Sequence, residues 1–202
     1  GICGTDIHLA EGKRKDAPDA LIPGHEFMGV VAEVTDTAHR GLVGRRVVAE
    51  PIINCGQCPT CRRGHPHVCE HLRVRGVHVD GVFAEFAVVG VNRIHLVPDG
   101  LPDRLAAAVE PLAVAVHVVR RAHPNVGDSV MVIGAGPIGL LVAQVARRAG
   151  ATRTVVVEVN PGRLAIARQL GFEVLDARDP AQRDTGLGMD VVFEVSGSVP
   201  GV

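Results

Sequence analysis

Apolar and polar positions follow two regimes along this chain. In the first, short apolar runs, RVVAEPII at 46–53 and VFAEFAVV at 82–89, read as strands of a β-rich domain. In the second, SVMVI at 129–133 reads as a buried parallel strand and PIGLLVAQVARRAG at 137–150 as a helix. TRTVVVE at 152–158 is the next strand. Asn160 as N-cap, Pro161 and GRLAIARQLG ending on Gly171 then predict a well-punctuated helix. Strands at FEVLD and DVVFEV complete a β-α-β-α-β-connection-β order, which is most of a doubly wound parallel sheet. RRAHPNVG at 120–127 reads as the linker, which divides the chain into residues 1–122 and 123–202. KRKDAPDA at 13–20 is a polar surface loop, and no internal repeat interrupts the order.

Composition narrows the classes. A chain of 202 residues that is 47% hydrophobic and 21% charged can bury a core. Its net charge of −1 offers no basic face for nucleic acid or an anionic membrane. With 2% aromatic residues, no Trp and no Tyr, it lacks the stacking platforms of single-strand binders. The uncharged stretch 130–146 approaches membrane-span length, but its three glycines and a proline argue against a span. No secretory leader is expected from the opening GICGTDIH, and the cysteine pattern suits metal in a reducing cytoplasm.

Four of the five cysteines, Cys55, Cys58, Cys61 and Cys69, stand in NCGQCPTCRRGHPHVC with the spacing C-x2-C-x2-C-x7-C. Two-residue gaps let a tight turn point successive thiolates at one ion, which predicts a structural zinc; two disulfides or an iron–sulfur cluster are the alternatives. Four thiolates leave no open coordination position, so this lobe reads as a clamp. His65 and His67 within it read as surface histidines. The chemistry is sought at Cys3, in CGTDIH, together with His25 and Glu26 of GHE. A thiolate, an imidazole and a carboxylate form the mixed set that binds a catalytic zinc with one position open.

Gly134, Gly136 and Gly139 match G-x-G-x-x-G, with Pro137 and Ile138 between the last two, after a strand and before a helix. That context predicts a dinucleotide site, with amides at the helix N-terminus meeting a pyrophosphate. Glu158, at the end of the second strand, would bond the ribose hydroxyls and repel a 2′-phosphate, favouring NAD over NADP. Arg163 stands close enough in sequence to meet such a phosphate.

Taken together, GICGTDIH, GHEFMGVV, GRRVVAEP, the four cysteines, VEPLAVAVH, GAGPIGLL and VFEVSG resemble the zinc-dependent medium-chain dehydrogenase/reductase family, in its polyol, butanediol and threonine dehydrogenase branch. The resemblance implies α/β plus β architecture: an incomplete GroES-like β-barrel catalytic domain carrying two zincs, followed by an incomplete Rossmann domain. It makes Cys3, His25 and Glu26 the catalytic zinc set and adds Glu110 of VEPLAVAVH, as a further zinc ligand or as the holder of the zinc-bound water. Thr5 and His8 match the family's proton relay, and Asp6 reads as an orienting or turn residue. The implied activity is hydride transfer between a secondary alcohol or polyol and NAD, zinc acting as a Lewis acid and Thr5 passing the alcohol proton through the cofactor ribose towards His8. An NADP-linked reductase and a non-catalytic zinc-stabilised scaffold are the competing readings. Relatives extend beyond both ends of this sequence, so it reads as an internal piece, expected to be inactive and poorly stable alone through unpaired strand edges. The full-length protein is expected to be a homodimer or homotetramer.

Overall fold

The computed structural model describes residues 1–183 and 188–198. Contacts divide the chain into two units, Gly1–Glu110 and Pro111–Val202. The division falls in the first turn of a helix, Val109–Ala122, ahead of the boundary at 122–123 that the linker suggests.

The first unit contains, in chain order, α1 (Gly4–Ala10), β1 (Gly29–Val30), β2 (Arg46–Ala49), β3 (Ile52–Ile53), α2 (Pro59–Arg62), β4 (Arg73–Val74), β5 (Ile94–Leu96) and α3 (Asp103–Ala106), and α4 (Val109–Ala122) begins at its end. β2 is the central strand, antiparallel to β1 through Gly29↔Val47 and to β5 through Val47↔Leu96 and Ala49↔Ile94. Its Val47, Val48 and Ala49 are all buried, and Val48 packs with Val97, Ala106, Met28, Leu101 and Val109. RVVAEPII is two strands, not one: it breaks at Glu50–Pro51, where proline has no N–H for a ladder. β3 instead pairs with β4 through Ile52↔Val74 and closes the base of the cysteine lobe.

VFAEFAVV forms no strand. The Val82 and Phe83 amides donate to the carbonyls of Pro23 and Gly24, which turns the segment away from any ladder, and Phe86 and Val88 stand 73% and 90% exposed. The loop 13–20 is pinned by Asp16, whose carboxylate meets Arg14 and His78.

In the second unit β6 (Ser129–Ile133), α5 (Pro137–Ala149), β7 (Arg153–Glu158), α6 (Pro161–Gln169), β8 (Glu173–Asp176), α7 (Pro180–Arg183) and β9 (Val191–Glu194) follow the predicted alternation. The sheet is parallel with order β8-β7-β6-β9, so the strand order reverses between β6 and β9. Val130, Val132, Val155 and Val156 are fully buried on β6 and β7, as a sheet covered on both faces requires. α5 ends on Gly150 in the left-handed region, where a Cβ would meet Val126. The Asn160 side chain caps α6 by accepting from the Gly162 and Arg163 amides. Residues 130–146 thus divide among a strand, a turn and a helix, and no helix among the described residues is long and apolar enough to cross a membrane.

Candidate active site and metal centres

Cys3 is the N-cap of α1, and α1 is built around Asp6. The Asp6 carboxylate, 7% exposed, accepts from the Cys3 amide at 2.7 Å through Oδ2 and from the Gly24 amide at 3.0 Å through Oδ1. One buried carboxylate therefore ties the segment carrying Cys3 to the segment carrying His25. The latter is held from its other side by the 81–83 backbone, with Gly81 N to Ile22 O at 2.6 Å and Phe83 N to Pro23 O at 3.0 Å. Close approach here depends on glycine. A Cβ on Gly81 would lie 2.2 Å from the Gly24 carbonyl oxygen, and Gly24 itself has φ +95.

The ligand atoms of Cys3, His25 and Glu26 lie within 4.8 Å of one another. His25, 8% exposed, keeps its Nδ1 without a hydrogen-bond partner and 3.9 Å from Asp6 Oδ1. Asp6 thus stands behind the ring at Nδ1, and a thiol, an imidazole and a carboxylate gathered within 4.8 Å of one another are a donor set that fits zinc. The His25 hydrogen bond holds the Cys3 thiol below its ordinary value, with Thr5 adding to the effect, and the Cys3 contact raises His25 in turn. Glu110, in the first turn of α4, lies outside that three-residue set but within its field: burial raises its carboxyl, the His25 charge opposes this and Glu26 adds to it. Thr5 is half-buried beside the Cys3 sulfur, while His8 is exposed one turn further along α1.

The ligand atoms of Cys55, Cys58, Cys61 and Cys69 form the second such group, and all four thiols are free. Sγ separations are 3.8 Å for Cys58–Cys69 and 3.5 Å for Cys69–Cys55. A tetrahedron of sulfurs with Zn–S near 2.3 Å has edges of about 3.8 Å, close to both of these separations, so the four thiols fit zinc. Cys58 caps α2 ahead of Pro59, and Gly56 and Gly64 turn the loop at φ +74 and +84. The Thr60 hydroxyl draws the Cys58 thiol down to about 5, whereas burial pushes Cys61 up to about 11. His65 and His67 are exposed and stack edge to face, outside the four-sulfur group.

In the second unit the three glycines differ in what surrounds them. Gly134, φ +105, would set a Cβ 2.8 Å from the Ser196 Cα, and Gly139 one 1.9 Å from the Gly134 carbonyl oxygen. Gly136, the N-cap of α5, faces open space, with Pro137 and Ile138 opening the helix behind it. Tight turn, close packing and an open amide end are the three properties a pyrophosphate cradle needs. Glu158, 7% exposed, accepts from the Ala135 amide through Oε2 and from the Val159 and Asn160 amides through Oε1. Burial alone would raise its carboxyl, but the three amides and Arg163, 3.7 Å away, hold it below the ordinary value.

The cysteine lobe, the Cys3–His25–Glu26 set and the fingerprint all stand at residues the sequence singles out. Missed there were the clamp of Gly76, Gly81 and Phe83 around Gly24, signalled only by glycines far along the chain, and the polar residues around the lobe.

Residues 1–99 match the model of the alcohol dehydrogenase GroES-like domain, and residues 137–201 that of zinc-binding dehydrogenases. The chain is 42% identical over 207 residues to L-threonine 3-dehydrogenase of Chelativorans sp. (strain BNC1), covering 98% of this chain and 60% of the relative. A zinc-binding dehydrogenase of Sinorhizobium meliloti 1021, crystallised with NADP, superposes with TM-score 0.91 at 34% identity, over 100% of this chain and 61% of its own. An alcohol dehydrogenase of E. coli CFT073, complexed with NADH, gives 0.91 at 32% identity, over 98% and 60%. The chain thus spans about 60% of the length of the relatives it matches. A GroES-like unit followed by a Rossmann sheet accounts for the architecture.

Proposed function

The chain belongs to the zinc-dependent medium-chain dehydrogenase/reductase family, and from that premise we propose that its protein is an oxidoreductase moving a hydride between a secondary alcohol or polyol and NAD. The observation that carries the reading is the Cys3, His25 and Glu26 cluster, pinned through Asp6 and flanked by the Thr5 hydroxyl. In this proposal residues 1–122 are the catalytic domain and 123–202 the coenzyme domain. Cys3, His25 and Glu26 would hold one zinc, with Glu110 as a further ligand or the holder of its water, and Cys55, Cys58, Cys61 and Cys69 would hold a second, structural one. The catalytic zinc supplies Lewis acidity that lowers the pKa of an alcohol. Thr5, beside the cluster, takes up the hydroxyl proton, and His8, exposed on the next turn, delivers it to solvent. Asp6 keeps Cys3 and His25 in register, a carboxylate behind a metal-facing histidine.

Gly134, Gly136, Pro137, Ile138 and Gly139 bind the pyrophosphate in this reading, and Glu158 selects NAD. Three amides hold Glu158 ionised, and a fixed negative charge at the strand end repels a 2′-phosphate. The second reading is an NADP-linked reductase, favoured by the exposed Arg163 guanidinium next to Glu158. The relatives' structures contain NADP in one case and NADH in the other. The substrate is a small molecule, neither nucleic acid nor membrane is a partner, and a cytoplasmic homodimer or homotetramer is the setting. An NAD and NADP reduction screen of the full-length protein across polyols, vicinal diols, 3-hydroxy amino acids and secondary alcohols tests it. NAD-linked turnover that Cys3→Ser abolishes is expected. Turnover unaffected by that substitution removes the cluster from the chemistry, and a metal-loaded protein without turnover favours the scaffold.

A further inference from the structure

Three sulfurs of the cysteine lobe find their polar neighbours within the lobe itself. Cys55 Sγ accepts from the Cys58 amide at 3.3 Å, Cys69 Sγ from the Cys55 and His71 amides at 3.4 and 3.3 Å, and Cys58 Sγ lies 3.1 Å from the Thr60 hydroxyl. Cys61 differs. Besides the Gly56 amide, its sulfur is met at 3.7 Å by the side-chain amide nitrogen of Asn54, the residue that joins β3 to the cysteines.

A carboxamide can present either end to a sulfur, and Arg93 decides which. Guanidinium only donates, and Arg93 Nη2 bonds the Asn54 carbonyl oxygen, so the Asn54 NH2 is left facing Cys61. Arg93 is itself fixed from the sheet. Its Nη1 donates to Glu50 Oε2 at 3.1 Å, its carbonyl accepts from the Glu50 amide at 2.9 Å, and the other Glu50 oxygen meets His95 Nε2 at 3.0 Å. Glu50 directly follows β2 and Arg93 directly precedes β5.

We propose that Glu50, Arg93 and Asn54 form a positioning relay that fixes an N–H···S hydrogen bond on Cys61 and thereby sets how tightly the lobe holds its metal. The inference rests on the reading that the four cysteines ligate a metal. Four thiolates around a divalent cation leave excess negative charge, and a donor backed by a guanidinium lowers its cost on the one sulfur whose donor is tied to the sheet.

The test uses the full-length protein in a Cys3→Ser background, so that thiolate bands arise from the lobe alone. It is loaded with Co2+, and affinity is measured by competition with a chromophoric chelator while the sulfur-to-cobalt charge-transfer band is recorded. Asn54→Asp keeps the contact with Arg93 and turns an acceptor oxygen towards Cys61. It is expected to weaken binding about 10- to 100-fold and move the band to lower energy, since a sulfur without its donor releases an electron more readily. Arg93→Met, which cannot donate, should act in the same direction, and Arg93→Lys, which still donates to Asn54, should recover most of the loss. An unchanged affinity in Asn54→Asp overturns the relay. Weaker binding with an unmoved band overturns it as well, because general loosening of the fold does not alter the sulfur's electronics. Absence of any cobalt–thiolate band before substitution at Asn54 or Arg93 overturns instead the four-cysteine reading beneath it.

Discussion

Gly136 and Gly139 differ in what a methyl group would meet, and the difference separates binding from folding. At Gly139 the new Cβ would sit 1.9 Å from the Gly134 carbonyl oxygen, a backbone atom that cannot move aside cheaply, whereas at Gly136 it would enter open space. Gly139→Ala should therefore cost about 1–3 kcal/mol or more of stability. Gly136→Ala should leave thermal unfolding unchanged and weaken coenzyme binding, read by titration calorimetry of the full-length protein. Equal losses of stability in the two variants would sink the assignment. Glu158 makes a different kind of prediction. Its carboxyl titrates lower folded than unfolded, so the unfolded chain binds the proton more tightly and stability rises with pH. The contribution is complete above the unfolded value of about 4.3 and is lost as pH falls through the lower folded value. Glu158→Gln should flatten that acid limb of a denaturation series, and an unaltered limb would show that the three amides do not hold the charge.

At the scale of elements, the site depends on one loop being gripped from two sides. Residues 22–24 bond to the 81–83 backbone on one side and to Asp6 of α1 on the other, and His25 follows directly. Gly81→Ala would place a Cβ 2.2 Å from the Gly24 oxygen and 2.4 Å from the Pro23 oxygen. Displacing that loop should cost about 1–3 kcal/mol and lower zinc content at the Cys3 set while the cysteine lobe stays loaded. Elemental analysis with denaturant unfolding checks both, and full zinc content with native stability would refute the grip. The same contrast explains what the sequence made legible. The parallel unit could be read from local signals, since each strand, cap and glycine of 129–171 lies next to the element it defines. The cysteine lobe was legible for the same reason, its ligands falling within one short loop. VFAEFAVV was misread because its amides bond to Pro23 and Gly24, a long-range choice that apolar pattern does not encode. The Gly24–Gly81 contact and the Asn54–Arg93 contact escaped likewise, each joining segments far apart in sequence.

For the molecule as a whole, the two cysteine-bearing sites should separate activity from stability. The lobe is closed at its base by only two residue pairs, Ile52↔Val74 and Ile53↔Arg73, and the buried hydrophobic residues within 54–72 are Cys58 and Cys69. With so little apolar burial, a metal bound as proposed would serve as the lobe's core, as in small domains that are unfolded without zinc. The Cys3 set is different, because Asp6 and the 81–83 backbone tie its segments together by hydrogen bonds of their own. A mild chelator should therefore remove one zinc first from the mixed-donor set, abolishing turnover with Tm unchanged. Harsher chelation should then remove the second from the four thiolates and lower Tm. Zinc content, turnover and calorimetry followed together on the full-length protein decide it. A Tm that falls with the first equivalent released would mean that the catalytic set, rather than the lobe, is the structural clamp.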